Sequence, residues 1–294
     1  MAASNRHVTD YWLSAVQQLT AAGIEPEEAR LEAEVLLRHV LGIDRAGFLI
    51  RRNEVMPNNA AARFSILLQR RLAREPLAYI IGHREFYGLD FLVDGRVLIP
   101  RPETEGLVER VMKAASRRRH AESPVGHVSI IADVGTGCGC IAIALAVHLP
   151  DARLIATDAS SDALDLARAN ARRHSVEQRI TFVHGDLLDP LPGRVDIIVA
   201  NPPYVASAEL AALPPEISRY EPRAALDGGP DGLNVIRRLL AQAPSYLQPD
   251  GMVLLEIADG QGHAVTRLAQ DAFPGACVTI EKDPAGLERY LIIT

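Results

Sequence analysis

The sequence predicts an α/β protein: a doubly wound, Rossmann-like domain preceded by a small helical domain and a β-hairpin linker. Three observations carry this. From Val128 onward, short apolar runs alternate with helical stretches, the pattern of repeated βα units. Most of those runs lack a polar/apolar alternation, as expected of strands covered on both faces. Upstream, Tyr11 to Val40 and Asn59 to Ala73 read as helix.

The helical part reads as follows. Trp12, Val16 and Leu19 fall at helical spacing, as do Leu31, Val35, Leu36, Val40 and Leu41. Gly23 and Pro26 divide this stretch into two helices, and Gly42 ends the second. A third helix is expected from Asn59 to Ala73, with arginines on its outer face. Residues 1–80 therefore form the expected N-terminal domain, and it holds no evident catalytic cluster.

A linker at 81–99 and the main domain at 100–294 follow. Phe86 to Leu98 mixes aromatic and β-branched residues with Gly88, Asp90, Asp94 and Gly95, which reads as a hairpin. Pro100 and Pro102, with Glu103 and Glu105 in a first turn, predict a helix from Glu103 to Ala115. Arg117 to Gly126 reads as a basic loop. Strands are expected at 129–133, 153–157, 180–184, 195–200, 252–257, 276–282 and 290–293. Helices fill the gaps at 140–148, 161–174, 232–246 and 261–272.

Composition excludes several classes. The net charge of -6 argues against broad nucleic-acid binding, which leaves a basic footprint. Cys138, Cys140 and Cys277 are too few for a disulfide framework, and Cys-Gly-Cys is not a zinc spacing. No histidine pair has ligand spacing, so no metal is expected, and a reduced cytoplasmic setting fits the cysteines. Met1 to Asp10 is polar and lacks the apolar core of a secretory signal. No apolar run reaches the roughly 18 residues of a membrane span. A monomer is the plain expectation.

The chemistry begins where the first strand of the main domain ends. Gly135-Thr136-Gly137-Cys138-Gly139 joins that strand to a helix. Glycines there allow a tight turn and close approach of backbone to a ligand, and the helix start offers free amides. The spacing is not the dinucleotide pattern, and the loop carries no lysine for nucleotide hydrolysis. The second strand ends at Asp158, where a carboxylate accepts hydrogen bonds from ribose hydroxyls. The third ends at Asp186, placed to meet an adenine amino group. Either acid alone reads equally as a helix cap. Three successive strand ends bearing suitable groups point instead to an adenosyl cofactor.

The fourth strand runs into Asn201-Pro202-Pro203-Tyr204. Proline terminates a central strand, but termination requires neither the asparagine nor the tyrosine. A planar amide or amine has two N–H donors and a delocalised, weakly nucleophilic lone pair. The Asn201 side-chain oxygen can accept one hydrogen and the Pro202 carbonyl the other. Such a grip polarises the nitrogen and aims it at a sulfonium methyl, as in S-adenosyl-L-methionine. Tyr204 offers a face for stacking and Pro203 stiffens the turn. A glutamine carboxamide and a flipped adenine both fit this description.

The chain resembles the HemK/PrmC family, the release factor glutamine methyltransferases, over nearly its whole length. The resemblance rests on Gly82-His83-Arg84-Glu85-Phe86, Ile99-Pro100-Arg101-Pro102-Glu103-Thr104-Glu105, Asp133-Val134-Gly135-Thr136-Gly137-Cys138-Gly139 and Asn201-Pro202-Pro203-Tyr204. Glu221 to Leu226, Gly229 to Leu233 and Lys282 to Arg289 also match. It implies methyl transfer from S-adenosyl-L-methionine to the N5 of the glutamine in the GGQ motif of class 1 peptide chain release factors. It implies that Asn201 and Pro202 bind that carboxamide, and that the glycine loop, Asp158 and Asn201 contact the cofactor. It gives the helical domain the task of recognising the release factor and sets Arg101 at the substrate mouth. Two positions depart from the family pattern: Leu187 stands where an aromatic often lies near the adenine, and Cys138 replaces a small hydroxyl residue. Competing readings are a ribosomal-protein glutamine methyltransferase, which carries a different Pro-Arg segment, a nucleic-acid adenine methyltransferase, and a silent cofactor-binding module. The last predicts damage to loop or tetrapeptide, and both are intact.

Overall fold

The computed structural model describes residues 6–120 and 128–294, which form two compact units. One comprises the chain up to Gly82 together with Pro214–Tyr220, and the other comprises His83–Leu213 and Glu221–Thr294.

In the first unit, helices α1 (Val8–Ala21), α2 (Pro26–Leu41) and α4 (Asn58–Leu72) bury Leu19, Ala33, Leu36, Leu37 and Phe64 against one another. Pro26 opens α2, where the missing N–H is not needed, and Gly42 closes it with φ of 64°. Two short helices were not expected, α3 (Arg45–Arg51) and α5 (Leu77–Ile81). The first is nucleated by its cap: the Asp44 carboxylate accepts from Gly47 N at 2.7 Å. The unit is completed by α9 (Pro215–Tyr220), a helix from far along the chain.

A buried ion cluster holds α9 there. Arg71 is 2% exposed. Its Nε donates to Glu32 Oε2 and its Nη1 to Glu216 Oε1, each at 2.8 Å. Arg74 Nη2 donates to Glu216 Oε2 at 2.9 Å. Burial raises the Glu32 carboxyl, against the pull of Arg71. For Glu216 burial also acts upward, but backbone and arginine hydrogen bonds outweigh it and hold the carboxyl low. Removing Arg71 strands the buried Glu32 carboxylate, while Glu216 keeps Arg74, so Arg71→Ala should lower unfolding free energy by about 3 kcal/mol. Urea denaturation of the whole chain measures this, and a loss under about 1 kcal/mol would show the cluster to be dispensable.

The second unit opens with a hairpin, β1 (His83–Phe86) and β2 (Leu89–Leu92). Its two turn residues, Tyr87 and Gly88, have φ of 53° and 73°, the primed-turn geometry that matches strand twist. The hairpin is shorter than expected and does not reach Leu98. Val93 and Val97 are buried by a loop rather than by a ladder, and Asp94 Oδ1 accepts from Arg96 N within it. A 3-10 turn, Pro102–Thr104, leads into α6 (Glu105–His120). The helix thus runs past Ala115 and takes in the start of the expected basic loop; the rest of that loop lies outside the described residues.

The core is a seven-stranded sheet of β3 (Ile130–Val134), β4 (Arg153–Asp158), β5 (Ile180–His184), β6 (Val195–Ala200), β7 (Leu247–Glu256), β8 (Val278–Lys282) and β9 (Glu288–Ile293). Its order is β5-β4-β3-β6-β7-β9-β8, with β9 antiparallel to both neighbours and the central pairs parallel. Helices α7 (Cys140–His148), α8 (Ser161–Arg173), α10 (Asn234–Tyr246) and α11 (Gly262–Ala272) supply the crossovers. β6 is buried at every position, including Asp196, whose Oδ2 accepts from Ile130 N at 2.8 Å. Among the described residues no helix is long and apolar enough to cross a membrane.

The strand order reverses between β3 and β6, and such a switch point opens a crevice at the carboxyl ends of the strands. Val134 pairs with Ala200 across it. The glycine loop, which follows Val134, and Asn201, which follows Ala200, are therefore brought side by side by the sheet register.

Candidate active site

A cavity of about 410 Å³ lies at this switch point. Gly135, Thr136, Gly137 and Cys138 border it, with Asp158, Asp186, Leu187, Asn201, Pro203 and Arg101. Gly139, Pro202 and Tyr204 are not among the bordering residues.

The loop is fixed from beneath. Gly135 N and Thr136 N both donate to Thr157 O at 2.9 Å. Gly137 N donates to Asp158 Oδ2 at 2.9 Å, and Asp158 Oδ1 accepts from Ser160 N at 2.8 Å. The Asp158 carboxylate thus ties loop to strand end and keeps further lone pairs for a ligand. Gly135 and Gly137 have φ of 71° and 57°, and a Cβ on either would meet nothing within 4 Å. Their bare backbone is open, as a ligand pressed against the loop requires. Gly139 is glycine for another reason: its φ of 85° is left-handed, and a Cβ there would press on Ala167 of α8 at 3.2 Å.

Two residues behind the loop have roles that the sequence reading did not assign, although Asp133 opens one of the matching motifs. Asn170 on α8 is fully buried; its Nδ2 donates to Cys138 O at 2.9 Å and Leu92 O at 3.0 Å, while its Oδ1 accepts from Leu92 N at 2.8 Å. One amide therefore joins the hairpin to the glycine loop. Asp133 is also buried, and burial pushes its carboxyl up to about 7, although Thr136 Oγ1 and Ala142 N donate to it at 2.6 and 3.1 Å. Its Oδ1 has no partner among the described residues.

At the third strand end, Asp186 pairs with Arg238, which also borders the cavity. Leu187 has φ of 50°, a conformation that disfavours a branched side chain, and Thr157 Oγ1 donates to its carbonyl at 2.9 Å. The turn sets Leu187 as an apolar wall of the cavity. Arg101 is held by Glu221, whose Oε1 accepts from its Nη2 at 2.6 Å; Glu221 is buried and also reaches Ile99 N at 3.3 Å.

Asn201 projects from β6 with its Nδ2 donating to Thr104 Oγ1 at 3.0 Å. Its Oδ1 meets no protein donor among the described residues, nor does the carbonyl of the buried Pro202. Tyr204 does not border the cavity, and its hydroxyl donates to Glu256 Oε1 at 3.1 Å. Burial and the Glu256 charge hold that phenol well above its ordinary value, so it remains a donor. No group of three or more histidine, cysteine or acidic side chains among the described residues is placed to hold a metal.

Residues 11–82 match the PrmC N-terminal domain family, and residues 120–213 match the methyltransferase small domain family. The release factor glutamine methyltransferase of Moorella thermoacetica is 46% identical over 95% of each chain. That of Geobacter sulfurreducens is 43% identical over 90% of this chain and 89% of its own. Among solved structures, the hMettl16 catalytic domain in complex with the MAT2A 3′UTR hairpin 6 aligns with a TM-score of 0.56 at 16% identity, covering 84% of this chain and 85% of that one. This likeness shows a shared fold. The chain belongs to the release factor glutamine methyltransferase family.

Proposed function

We propose that the protein transfers a methyl group from S-adenosyl-L-methionine to the N5 of the glutamine in the GGQ motif of class 1 release factors. The observation that carries this is the orientation of Asn201: its amide nitrogen is engaged behind, and its oxygen is left for a donor in the cavity that the glycine loop and Asp158 border. When bound, the cofactor supplies an electrophilic methyl on a sulfonium. The open glycine backbone, the Asp158 lone pairs and the Leu187 wall fit an adenosyl group. Gly135 to Cys138, Asp158, Asp186, Leu187 and Asn201 are the residues we assign to it.

Asn201 Oδ1 and the Pro202 carbonyl accept the two carboxamide hydrogens, concentrating electron density on nitrogen and fixing its direction. Pro203 stiffens this pair of acceptors. Arg101, braced by Glu221, stands at the mouth. The first unit is assigned to release-factor recognition. The setting is cytoplasmic, consistent with three free cysteines, and the protein acts as a monomer without a metal.

The deciding experiment uses labelled cofactor, a class 1 release factor, and the same factor with its motif glutamine changed to alanine. Label should enter the first factor and not the second. Equal labelling of both, or of neither, would overturn the assignment.

A further inference from the structure

Asparagine can present either its oxygen or its NH2 group to a cavity, and only the oxygen accepts from a substrate amide. Nothing within Asn201 makes that choice. Its neighbours do. The Asn201 Nδ2 donates to Thr104 Oγ1 at 3.0 Å, and the Thr104 hydroxyl donates onward to Glu256 Oε2 at 2.7 Å. The other Glu256 oxygen accepts from the Tyr204 hydroxyl. An ionised carboxylate only accepts, so the single Thr104 proton is committed to Glu256. Thr104 Oγ1 then faces Asn201 as an acceptor. A flipped Asn201 would set oxygen against oxygen with no proton between them.

We infer that Glu256 is a positioning residue for methyl transfer: through Thr104 it locks Asn201 with its oxygen toward the cavity, and through Tyr204 it anchors the far end of the tetrapeptide. This rests on the carboxamide-binding reading above. The relay is built as a fixed part. Thr104 and Glu256 are 2% and 1% exposed. The turn that carries Thr104 is pinned in turn, because the Tyr290 hydroxyl donates to Glu103 O at 2.7 Å.

The relay has a polarity, and protonation reverses it. A neutral Glu256 carboxyl can donate to Thr104, which frees the Thr104 proton to point at Asn201 and admits the flipped amide. Burial raises the Glu256 carboxyl above its ordinary range, while the Thr104 and Tyr204 hydrogen bonds and the Arg289 charge pull it down and Glu103 pushes it up. The groups facing it are therefore Thr104 and Glu103 from the turn, Tyr204 after β6, and Arg289 and Tyr290 from β9. Turnover should be full where Glu256 is ionised and fall as the pH drops through its raised pKa.

Single-turnover methylation and calorimetric cofactor binding test this with Glu256→Leu, Thr104→Val and Thr104→Ser. Glu256→Leu removes the acceptor that commits the Thr104 proton, and Thr104→Val removes the link. Both should lose about 10²-fold in rate with cofactor affinity within about threefold of wild type. Both should also lose the acid limb of the rate profile, whereas Glu103→Gln keeps it. Thr104→Ser retains the hydroxyl and should stay within about fivefold of the wild-type rate. A Glu256→Leu rate within about threefold of wild type, or an acid limb persisting in it, overturns the relay. Should Glu256→Leu fail to bind cofactor, the threonine pair decides alone: equal rates in valine and serine variants overturn it. Failure of the wild-type enzyme to label glutamine is a separate outcome that refutes the substrate reading.

Discussion

Asn201→Ala is expected to lose about 10³-fold to 10⁴-fold in turnover at saturating substrate, with cofactor affinity falling by no more than about tenfold. The loss has two sources. The acceptor that polarises the carboxamide disappears, and so does the fixed direction of the nitrogen. Both effects belong to the reacting complex rather than to its assembly, so turnover should fall far more than binding. Asn201→Gln should not restore the rate, because the added methylene moves the oxygen out of line with the Pro202 carbonyl and away from Thr104. Turnover near wild type in Asn201→Ala, or a rate loss matched by lost cofactor affinity, would refute the carboxamide grip.

Asn201 was legible in the sequence because its signal is local: an apolar run, then two prolines between an asparagine and a tyrosine. The same holds for the glycine loop and Asp158, each at the end of a run that the structure makes a strand. The contact between Glu256 and Thr104 was not legible, although Thr104 lies in one of the matching motifs. They lie 152 residues apart, and each reads alone as an ordinary end-of-element residue. Asn170 gave no warning either, since a polar residue in an amphipathic helix reads as solvated until the helix is seen to pack against a hairpin. Gly139 and Tyr204 show the converse. Both sit in motifs, yet a left-handed φ and the approach to Ala167 account for the glycine, and a hydrogen bond to Glu256 occupies the tyrosine. The overlong hairpin has a related cause: Val93 and Val97 bury their side chains from a loop, and burial alone mimics a strand. Joining Pro215–Tyr220 to the first unit depends on Arg71 meeting Glu216 across 145 positions, which no window of sequence spans.

Asp158→Ala should weaken cofactor binding by about 10²-fold to 10³-fold while leaving turnover at saturation within about tenfold of wild type. Each Asp158 oxygen already accepts one backbone N–H, from Gly137 or Ser160, and keeps a further lone pair for a ribose hydroxyl. The substitution therefore removes ligand acceptors and the anchor of the glycine loop together. Hydrogen bonds to a charged group contribute about 1.5–3 kcal/mol each, so two ligand bonds account for the expected range without the loop. Asp158→Asn separates the parts. Its amide keeps one acceptor but turns an NH2 toward either Gly137 N or Ser160 N, where two donors then face each other. Asparagine should consequently bind cofactor no better than alanine, although it is the closer match in shape. The demethylated product shares the adenosyl group, so its affinity should fall in parallel with that of the methyl donor. If Asp158 were only a cap for the residues ahead of α8, Ser160→Ala would reproduce the loss and a lowered melting temperature would accompany it. Unchanged affinity in Asp158→Ala would remove the carboxylate from the cofactor site, and the open glycine backbone would be left as the feature that holds the adenosyl group.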